Sequence, residues 1–333
     1  MTPTSTPTSG PTPEAALESY RRAAVIGGGV IGVSWAGLFL ARGLDVVVND
    51  PRPDIEDLVL AGLAEITPAL AALGLPTENL TAGLTFEADL ATAVADVDVV
   101  QENGPERLEL KQRIWGTVEA AAPAHALLAT STSSIPATAI AEAMRQPERL
   151  IVGHPFNPPH LVPLVEIVPG ARTAPATVEQ ATAFYTALGK KPQVLRKEVP
   201  GFVANRLQAA LFRECVHLVA EGVVTERQLD DVVTSSIGMR WAVAGPFRTF
   251  HLGGGPGGLP QFIDHLGRGM ETGLWPLLGN PAFDDATVAL LTEQAREAFG
   301  DRSVEQLAAE RDRAQLTLMR ALGETPDTAR ARA

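Results

Sequence analysis

The chain has 333 residues, of which 45% are apolar and 20% are charged. One hydrophobic core rarely organises a chain of that length, so we expect about two domains in an ordinary globular protein. A formal net charge of −12 argues against binding to a nucleic acid backbone. The single cysteine, Cys215, cannot form an internal disulfide, and no Cys or His spacing resembles a zinc site. A reducing cytoplasm fits this composition best.

The start of the chain combines a polar tail with an apolar run. Residues 2–13 contain only Thr, Pro, Ser and Gly, which bury too little surface to fold, so we predict a disordered tail over residues 1–20. Residues 23–41 carry no charge, but five glycines interrupt them, and the run comes late, behind an uncharged Thr/Pro tail rather than a basic n-region. We therefore expect neither a membrane span nor a secretory signal there.

Short β-branched runs alternate with longer helical stretches between residues 22 and 196, a pattern typical of βαβ units on a parallel sheet. Strands are predicted over residues 23–27, 45–49, 97–101, 126–129, 150–152, 164–168 and 193–196. A break at residues 199–201 precedes a predicted helix over residues 202–221 and further helical sequence. The sequence thus predicts an α/β Rossmann-type doubly wound sheet over residues 21–199, followed by an all-α domain over residues 200–333.

A glycine motif follows the first predicted strand. Gly27, Gly29 and Gly32 form G-x-G-x-x-G at the start of a helical segment. In such a motif the first glycine makes the turn, the second admits a pyrophosphate, and the third packs the helix on the strand. An anion then lies at the helix N-terminus. We expect this loop, with Val30 and Ile31 at the helix start, to bind a dinucleotide.

The second predicted strand leads into Asp50, eighteen residues after Gly32. A carboxylate at this position accepts hydrogen bonds from the adenosine ribose and repels a 2′-phosphate, which favours NAD over its phosphorylated form. Arg52 could instead attract that phosphate. Asp50 could also be an ordinary turn residue before Pro51.

Polar side chains follow three predicted strands of the sheet. Glu102 follows one strand, hydroxyl residues 130–134 follow the next, and His154 follows a third. Ligands of such sheets bind beside the carboxyl ends of the strands, so these groups indicate a reactive site. Glu166, in an otherwise apolar run, would fix the imidazole tautomer and raise its basicity as a general base requires. A structural histidine and a solvated carboxylate are the alternative.

Asn205 lies on the apolar face of the helix predicted over residues 202–221. An amide there either satisfies buried backbone groups or reaches a site between the domains.

Taken together, several motifs resemble the L-3-hydroxyacyl-CoA dehydrogenase superfamily over roughly residues 22–270. They are the glycine motif, Asp50, Glu102 nine residues before Lys111, Ser133-Ser134, His154-Pro-Phe-Asn-Pro, Glu166 and Pro200-Gly201-Phe202-x-x-Asn205-Arg206. The resemblance implies NAD as cofactor, with Glu102 and Lys111 in its binding region, and a dimer built largely from the helical domain. Ser131 departs from the family, which usually has Asn there.

The same resemblance implies a role for each catalytic residue. Ser133 and Asn205 would hydrogen-bond the substrate oxygen, and His154 would take the hydroxyl proton. Glu166 would orient His154 and stabilise the imidazolium, while the hydride leaves for the nicotinamide.

Within the superfamily, the chain looks more like the branch that contains L-carnitine dehydrogenase, L-gulonate 3-dehydrogenase and lambda-crystallin. The motifs that indicate this branch are His154-Pro-Phe-Asn-Pro-Pro-His160-Leu-Val-Pro and Gly238-Met-Arg-Trp241 with the following Gly245-Pro-Phe. The resemblance implies that acyl-CoA enzymes of this fold carry a basic segment after the second strand, which meets the CoA phosphates. Here residues 57–79 contain no Lys or Arg, which favours a small hydroxy acid as substrate. Arg240 could bind its carboxylate, and Trp241 could offer a π face to a quaternary ammonium. A surface ion pair and a core aromatic are equally open readings.

Three functions remain in competition. The first is NAD-dependent oxidation at carbon 3 of a small hydroxy acid similar to carnitine, gulonate or 3-hydroxybutyrate. The second is the same chemistry on an acyl-CoA thioester. The third is a non-catalytic, crystallin-like dinucleotide-binding protein.

Overall fold

The computed structural model describes residue 17 and residues 19–323, where one eight-stranded sheet has the order β3-β2-β1-β4-β5-β6-β7-β8. The strands are β1 (Arg22–Ile26), β2 (Asp45–Asn49), β3 (Leu84–Phe86), β4 (Val99–Glu102), β5 (Leu127–Thr130), β6 (Leu150–Pro155), β7 (Leu164–Pro169) and β8 (Lys191–Val194). The first six strands lie in the doubly wound order, so the topology switches direction between β1 and β4. The predicted Rossmann-type fold class is confirmed.

Helices cover the sheet and form the rest of the chain. In the first part they are α1 (Val30–Ala41), α2 (Ile55–Ala72), α3 (Leu90–Val94), α4 (Leu108–Ala121), α5 (Ala137–Ala141) and α6 (Pro175–Ala187). They continue as α7 (Ala204–Ala220), α8 (Glu226–Ser235), α9 (Ile237–Gly253), α10 (Gly258–Phe262), α11 (Arg268–Gly273), α12 (Asp285–Phe299) and α13 (Val304–Ala321). A π-helical turn lies at Ile263–Gly267, and 3-10 turns lie at Pro147–Arg149, Gly255–Gly257 and Trp275–Leu277. Among the described residues after β8 all regular structure is helical, as predicted.

The sheet differs from the predicted parallel one at its second edge. Strand β7 pairs antiparallel with β6, and β8 pairs parallel with β7. The connection from β6 to β7 contains no helix, and without a crossover helix a neighbouring strand returns in the opposite direction. Strand β3 was not predicted, because its three residues carry too short a pattern to recognise.

Several boundaries also differ from the predicted ones. Strand β6 extends to Pro155 rather than residue 152, so His154 lies within the strand and not after it. Strand β8 begins at Lys191 rather than residue 193, because it lies at the sheet edge, where Pro192 costs no ladder hydrogen bond. The helix expected from residue 202 begins at Ala204. Gly201 and Phe202 have φ values of 74° and 50°, a left-handed backbone that cannot belong to a right-handed helix.

Apolar side chains fill both faces of the sheet. On one face, α1, α2 and α6 pack over the strands around an aromatic cluster of Trp35, Phe39, Phe184 and Tyr185. On the other face, α3, α4 and α5 pack around Trp115. Because both faces are covered, the strands read as continuous apolar runs, and polar groups concentrate where the strands end.

The chain divides into two compact units. The first comprises residues up to Val203 together with the segment that starts at Asp312, and the second comprises Ala204–Arg311. Leu316 and Met319 of α13 pack in the core of the first unit. The predicted disordered tail lies outside the described residues except for its last part, where Tyr20 packs against Phe184 at a ring distance of 4.8 Å. Within residues 17 and 19–323, no helix is long and apolar enough to cross a bilayer.

Candidate active site

The glycine motif forms the turn between β1 and α1. Gly27 has a φ of 88°, which a residue with a side chain rarely adopts. A Cβ on Gly32 would lie 1.9 Å from the carbonyl oxygen of Gly27, whereas a Cβ on Gly29 would meet nothing within 4 Å. Gly29 is the N-cap of α1, and Val30 and Ile31 form its first turn. Open space at Gly29 and a helix N-terminus beside it fit a bound pyrophosphate.

A groove of about 690 Å³ begins at this turn, at the switch point between β1 and β4. Its walls come from the loops after β1, β2 and β4 and from one face of α4. The lining residues are Ile26, Gly27, Gly29, Asn49, Asp50, Pro51, Arg52, Asn103, Gly104, Pro105, Arg107, Leu110 and Ile114. Position and lining match those of a dinucleotide site in a doubly wound sheet.

Asp50 lies in this groove directly after β2. Its Oδ2 accepts the N–H of Gly28 at 2.9 Å, and Arg52 donates to both carboxylate oxygens at 2.9 and 3.0 Å. Burial raises the pKa of Asp50, but the hydrogen bonds from Arg52 and Gly28 outweigh it and hold the pKa below its usual value. The carboxylate is thus ionised and tied to the glycine turn, while Arg52 neutralises part of its charge.

Glu102 and Lys111 form a buried ion pair beneath the groove. Lys111 Nζ lies 2.9 and 3.0 Å from the two carboxylate oxygens and also donates to the carbonyl of Gly104 at 3.2 Å. Gly104 N–H and Thr130 Oγ1 donate to the same carboxylate at 2.6 Å each. Both side chains are at most 1% exposed, so they shape the loop at residues 103–105 from below. Asn103 and Gly104, rather than this pair, line the groove.

His154 and Glu166 meet near the end of the β6–β7 pair. His154 Nδ1 lies 2.9 Å from Glu166 Oε2, and both side chains are buried. A carboxylate only accepts, so Nδ1 carries the hydrogen and Nε2 presents its lone pair. Phe156 and Phe202 pack against the ring with centroids 5.4 and 5.3 Å away. Glu166 Oε1 accepts the N–H of Val203 at 2.9 Å, which leaves the carboxylate fixed on both sides.

Ser133 completes this group from the loop after β5. Its Oγ lies 3.2 Å from His154 Nε2. Because Nδ1 carries the ring hydrogen, Nε2 accepts and the Ser133 hydroxyl donates. The structure thus brings Ser133, His154 and Glu166 into one hydrogen-bonded chain that ends at an accessible hydroxyl, an arrangement suited to removing a proton from a substrate alcohol.

Glu106 holds the Ser133 loop, and sequence reasoning did not identify it. Its Oε1 accepts the N–H groups of Ser133 at 2.5 Å and Ser134 at 3.0 Å, and Thr132 Oγ1 lies within 2.9 Å of both oxygens. Burial raises the pKa of Glu106, but the bonds from Ser133 and Thr132 and the charge of Lys111 lower it more. These contacts join residues some 26 positions apart, so no local pattern marks them.

Ser131, the departure from the family pattern, lies inside a polar network. Its Oγ accepts from Gln101 at 2.8 Å and from Trp35 at 3.3 Å, and donates to Asn103 Oδ1 at 2.7 Å. Tyr185 donates to Gln101 at 2.6 Å. The network links the hydroxyl loop to the groove loop at Asn103.

The remaining predicted residues belong to the second unit. Asn205 is half-buried in the first turn of α7, two positions after Val203. Arg240 and Trp241 are adjacent and exposed on α9. Among the described residues, no group of three His, Cys, Asp or Glu side chains could hold a metal ion.

Two family comparisons match most of the chain. Residues 22–199 match the NAD binding domain of 3-hydroxyacyl-CoA dehydrogenase, and residues 201–274 match the C-terminal domain of the same family. The first match spans the whole sheet, including the glycine turn, Ser133, His154 and Glu166. The second begins within the break predicted at residues 199–201.

Similar curated proteins cover nearly the whole chain. It is 45% identical over 329 residues to the L-carnitine dehydrogenase of Streptomyces griseus subsp. griseus, which covers 99% of this chain and 98% of that protein. The L-carnitine dehydrogenase of Pseudomonas aeruginosa is 42% identical over 303 residues, or 91% of this chain and 94% of that protein.

Solved structures share the fold. That of 5-formyl-3-hydroxy-2-methylpyridine 4-carboxylic acid 5-dehydrogenase, an NAD⁺-dependent dismutase, aligns with a TM-score of 0.77 at 32% identity, covering 91% of this chain and 99% of that one. A (S)-3-hydroxybutyryl-CoA dehydrogenase from Ralstonia eutropha aligns with a TM-score of 0.58 at 26% identity, covering 74% and 85%.

Proposed function

The chain belongs to the 3-hydroxyacyl-CoA dehydrogenase family, and from this premise we propose that it oxidises the 3-hydroxyl of L-carnitine, or of a closely similar small hydroxy acid, to the 3-oxo compound. It is an NAD-dependent dehydrogenase of that family. The observation that carries the proposal is the buried pair of His154 and Glu166 with Ser133 at its open end.

Oxidation of a secondary alcohol removes a proton from oxygen and a hydride from carbon. His154 Nε2 accepts the proton as the O–H bond breaks and the C=O bond forms. NAD⁺ bound in the groove supplies the acceptor for the hydride. Glu166 holds Nδ1–H and stabilises the imidazolium that results. In the reverse direction the imidazolium returns the proton to the alkoxide oxygen.

The substrate oxygen needs donors that hold it against the imidazole. Ser133 Oγ lies within hydrogen-bond reach of His154 Nε2, so an alcohol oxygen that lies beside both atoms can contact each of them. Asn205 supplies the second donor in this proposal, following the family motif. Donors aimed at an oxygen that gains negative charge favour the transition state over the bound alcohol.

A small zwitterion suits the charges of the chain better than a thioester does. Helix α2 (Ile55–Ala72) contains no basic residue, and its first turn is acidic through Glu56 and Asp57. Coenzyme A phosphates would therefore meet repulsion there. Arg240 on α9 binds the substrate carboxylate in this proposal, and Trp241 beside it packs against the trimethylammonium group.

Steady-state kinetics with NAD⁺ tests the substrate. L-carnitine, L-gulonate, 3-hydroxybutyrate and its CoA ester are compared by kcat/KM from the rise in NADH absorbance. We expect L-carnitine to give the highest value, and Arg240→Ala to raise its KM by about 10- to 100-fold with NAD⁺ binding unchanged. A higher kcat/KM for the CoA ester would refute the small hydroxy acid as substrate and leave only the dehydrogenase chemistry of the family. No turnover with any hydroxy acid, despite NAD⁺ binding, would favour the crystallin-like alternative.

The assembly we propose is a cytoplasmic homodimer built largely from the second unit. Large apolar side chains more than half exposed within that unit support it: Phe212, Met239, Val243, Phe247, Leu252, Leu277 and Phe283. A second copy would bury such side chains. Sedimentation equilibrium tests the assembly, and a monomer at micromolar concentration would contradict it. For the compartment, the single free Cys215 fits a reducing environment.

A further inference from the structure

A second cavity in the first unit shares no lining residue with the NAD groove. Its volume is about 290 Å³, and most of its wall is apolar. The residues that line it are Leu38, Arg42, Leu73, Leu75, His160, Leu161, Pro163, Leu188, Gly189, Lys190, Met319 and Gly323. Two of them are permanent or potential cations on long side chains, one is a histidine, and none is an acid. A cavity with cations and no carboxylate in its wall lacks the usual means of neutralising buried charge.

Lys190 is the more deeply buried of the two cationic side chains, with 7% of its surface exposed. Its Nζ donates to the carbonyl oxygens of Pro159 and Val162 and lies 5.8 Å from the ring centre of Trp35. These contacts hold the amine in place but supply no negative charge. Burial, and the nearby charge of Arg42, lower the pKa of Lys190 to about 7. The amine therefore gives up its proton readily unless an anion is near.

Arg42 adds the second cation from the C-terminal end of α1. Its Nε is buried and makes no hydrogen bond, and burial lowers its pKa. A guanidinium whose Nε–H is unpaired can still form a bidentate contact with a carboxylate. His160, whose Nδ1 bonds Ser34 at 2.8 Å, lies on the same wall. Arg320 of α13 donates to the carbonyl of Ala72 at 2.6 Å, next to Leu73. The titratable side chains named around the cavity are therefore all basic.

We propose that this cavity binds a monocarboxylate with a short aliphatic tail, at a site separate from the catalytic one. The carboxylate bridges Arg42 and Lys190, and the tail packs against the leucine side chains of the wall. Leu38, Leu73, Leu161 and Leu188 supply the apolar surface that a mineral anion would not use. Binding places a negative charge beside two basic side chains whose cavity wall contains no acidic residue.

Proton uptake follows from this arrangement. An anion beside Lys190 favours the charged amine, so binding above about pH 7 takes up close to one proton. Affinity is then nearly constant below that pH and falls up to about tenfold for each pH unit above it. A tail that bound by apolar contact alone would show no such dependence.

Isothermal titration calorimetry with octanoate tests the site on the full chain. We expect one octanoate per chain, much weaker binding of acetate, and an enthalpy that depends on the ionisation heat of the buffer at pH 8. Lys190→Met and Arg42→Met should each weaken octanoate about 10- to 100-fold. Lys191→Met, an exposed neighbour on β8, is the matched control and should bind normally. Circular dichroism checks that each variant is folded.

Several outcomes would overturn the site. The proposed site is refuted if octanoate does not bind, or if it binds both cavity variants as tightly as the wild-type protein. Octylamine bound as tightly as octanoate would indicate apolar contact alone, and phosphate bound as tightly would indicate a mineral anion site. Octanoate binding that is lost in Arg240→Ala but kept in Lys190→Met would locate the ligand at the proposed substrate site. If one of the two cavity variants does not fold, octanoate binding by the other still tests the site.

Discussion

His154 and Glu166 are directly opposite each other in the antiparallel register of β6 and β7, and their side chains meet at 2.9 Å on one face of the sheet. Opposite residues in such a pair hold their Cβ atoms about 5 Å apart. The ladder of backbone hydrogen bonds therefore sets the distance between imidazole and carboxylate. The antiparallel direction of β7 is what places the two groups opposite each other.

Replacing His154 with Ala should lower kcat by about two to four orders of magnitude, because the group that accepts the substrate proton is lost. Glu166→Gln should also slow turnover and change the pH profile of kcat, since the imidazolium loses its anionic partner. His125→Ala, at an exposed histidine that pairs with Asp98, is the control and should leave kcat unchanged. Rates near normal in both variants, with the same pH profile, would refute the dyad.

Ser133→Ala should lower kcat about tenfold or more, because its hydroxyl is the group within 3.2 Å of His154 Nε2. Ser134→Ala removes the neighbouring hydroxyl, which instead faces Glu106 at 3.3 Å, and should change kcat much less. Presteady-state measurement of NADH formation separates the chemical step from product release. Equal losses in the two variants would mean that the loop, and not the Ser133 hydroxyl, is needed.

Asp50→Ala should narrow the preference for NAD⁺ over NADP⁺. The variant removes the repulsive carboxylate and also releases Arg52, whose guanidinium now donates to it twice, to meet a 2′-phosphate. Asp57→Ala, at an exposed acid on α2, is the matched control. Dissociation constants for both cofactors check the prediction. If the wild-type protein binds NADP⁺ as tightly as NAD⁺, Asp50 does not discriminate between the two cofactors.

Glu106→Gln should lower kcat about tenfold while leaving NAD⁺ binding nearly intact, because the carboxylate positions the loop that carries Ser133. The folded pKa of Glu106 is below its usual value, so its stabilising effect is complete above the unfolded pKa and is lost as pH falls through the folded one. The difference in melting temperature between the variant and the unchanged protein should therefore shrink at acid pH. A difference that stayed constant down to the acid transition would contradict this role.

Lys190 should make the protein more stable as pH rises from about 7 towards 10. The unfolded lysine keeps its proton up to its usual pKa of 10.5, whereas the folded one loses it near 7, so the unfolded state binds more protons over this window. The free energy of unfolding then rises by up to about 1.4 kcal/mol per pH unit from this group. Urea unfolding at several pH values measures the slope. Lys190→Met should remove it, and Lys191→Met should keep it.

Sequence predicted the parts of the site that local patterns encode. The glycine turn and Asp50 each follow an apolar strand, and His154 lies near the carboxyl end of another. The topology of a doubly wound sheet gathers the carboxyl ends of its parallel strands at one edge. The pairing of Glu166 with His154 was expected from chemistry and is found in the geometry. The antiparallel direction of β7 was not predicted. Strand direction depends here on the absence of a crossover helix between β6 and β7, and not on the residues of the strand.

Other features depend on contacts that no spacing encodes. Glu106 reaches the Ser133 loop across a turn, and Lys190 is held by carbonyl groups about 30 positions earlier. Glu102 and Lys111 were expected in the cofactor region, and their buried ion pair holds Gly104 of the groove wall, a contact that their spacing alone does not reveal. An amphipathic pattern such as that of α13 predicts a helix but does not say which surface it covers.

The return of α13 to the first unit has a consequence for how the protein is made. Leu316 and Met319 belong to the same core as β1 and α1, although the second unit lies between them in the chain. When the whole sheet has left the ribosome, residues of α13 that belong to the core of the first unit have not yet been synthesised. The first unit therefore reaches its full packing only after synthesis has passed α13, later than an N-terminal domain that folds as soon as it emerges.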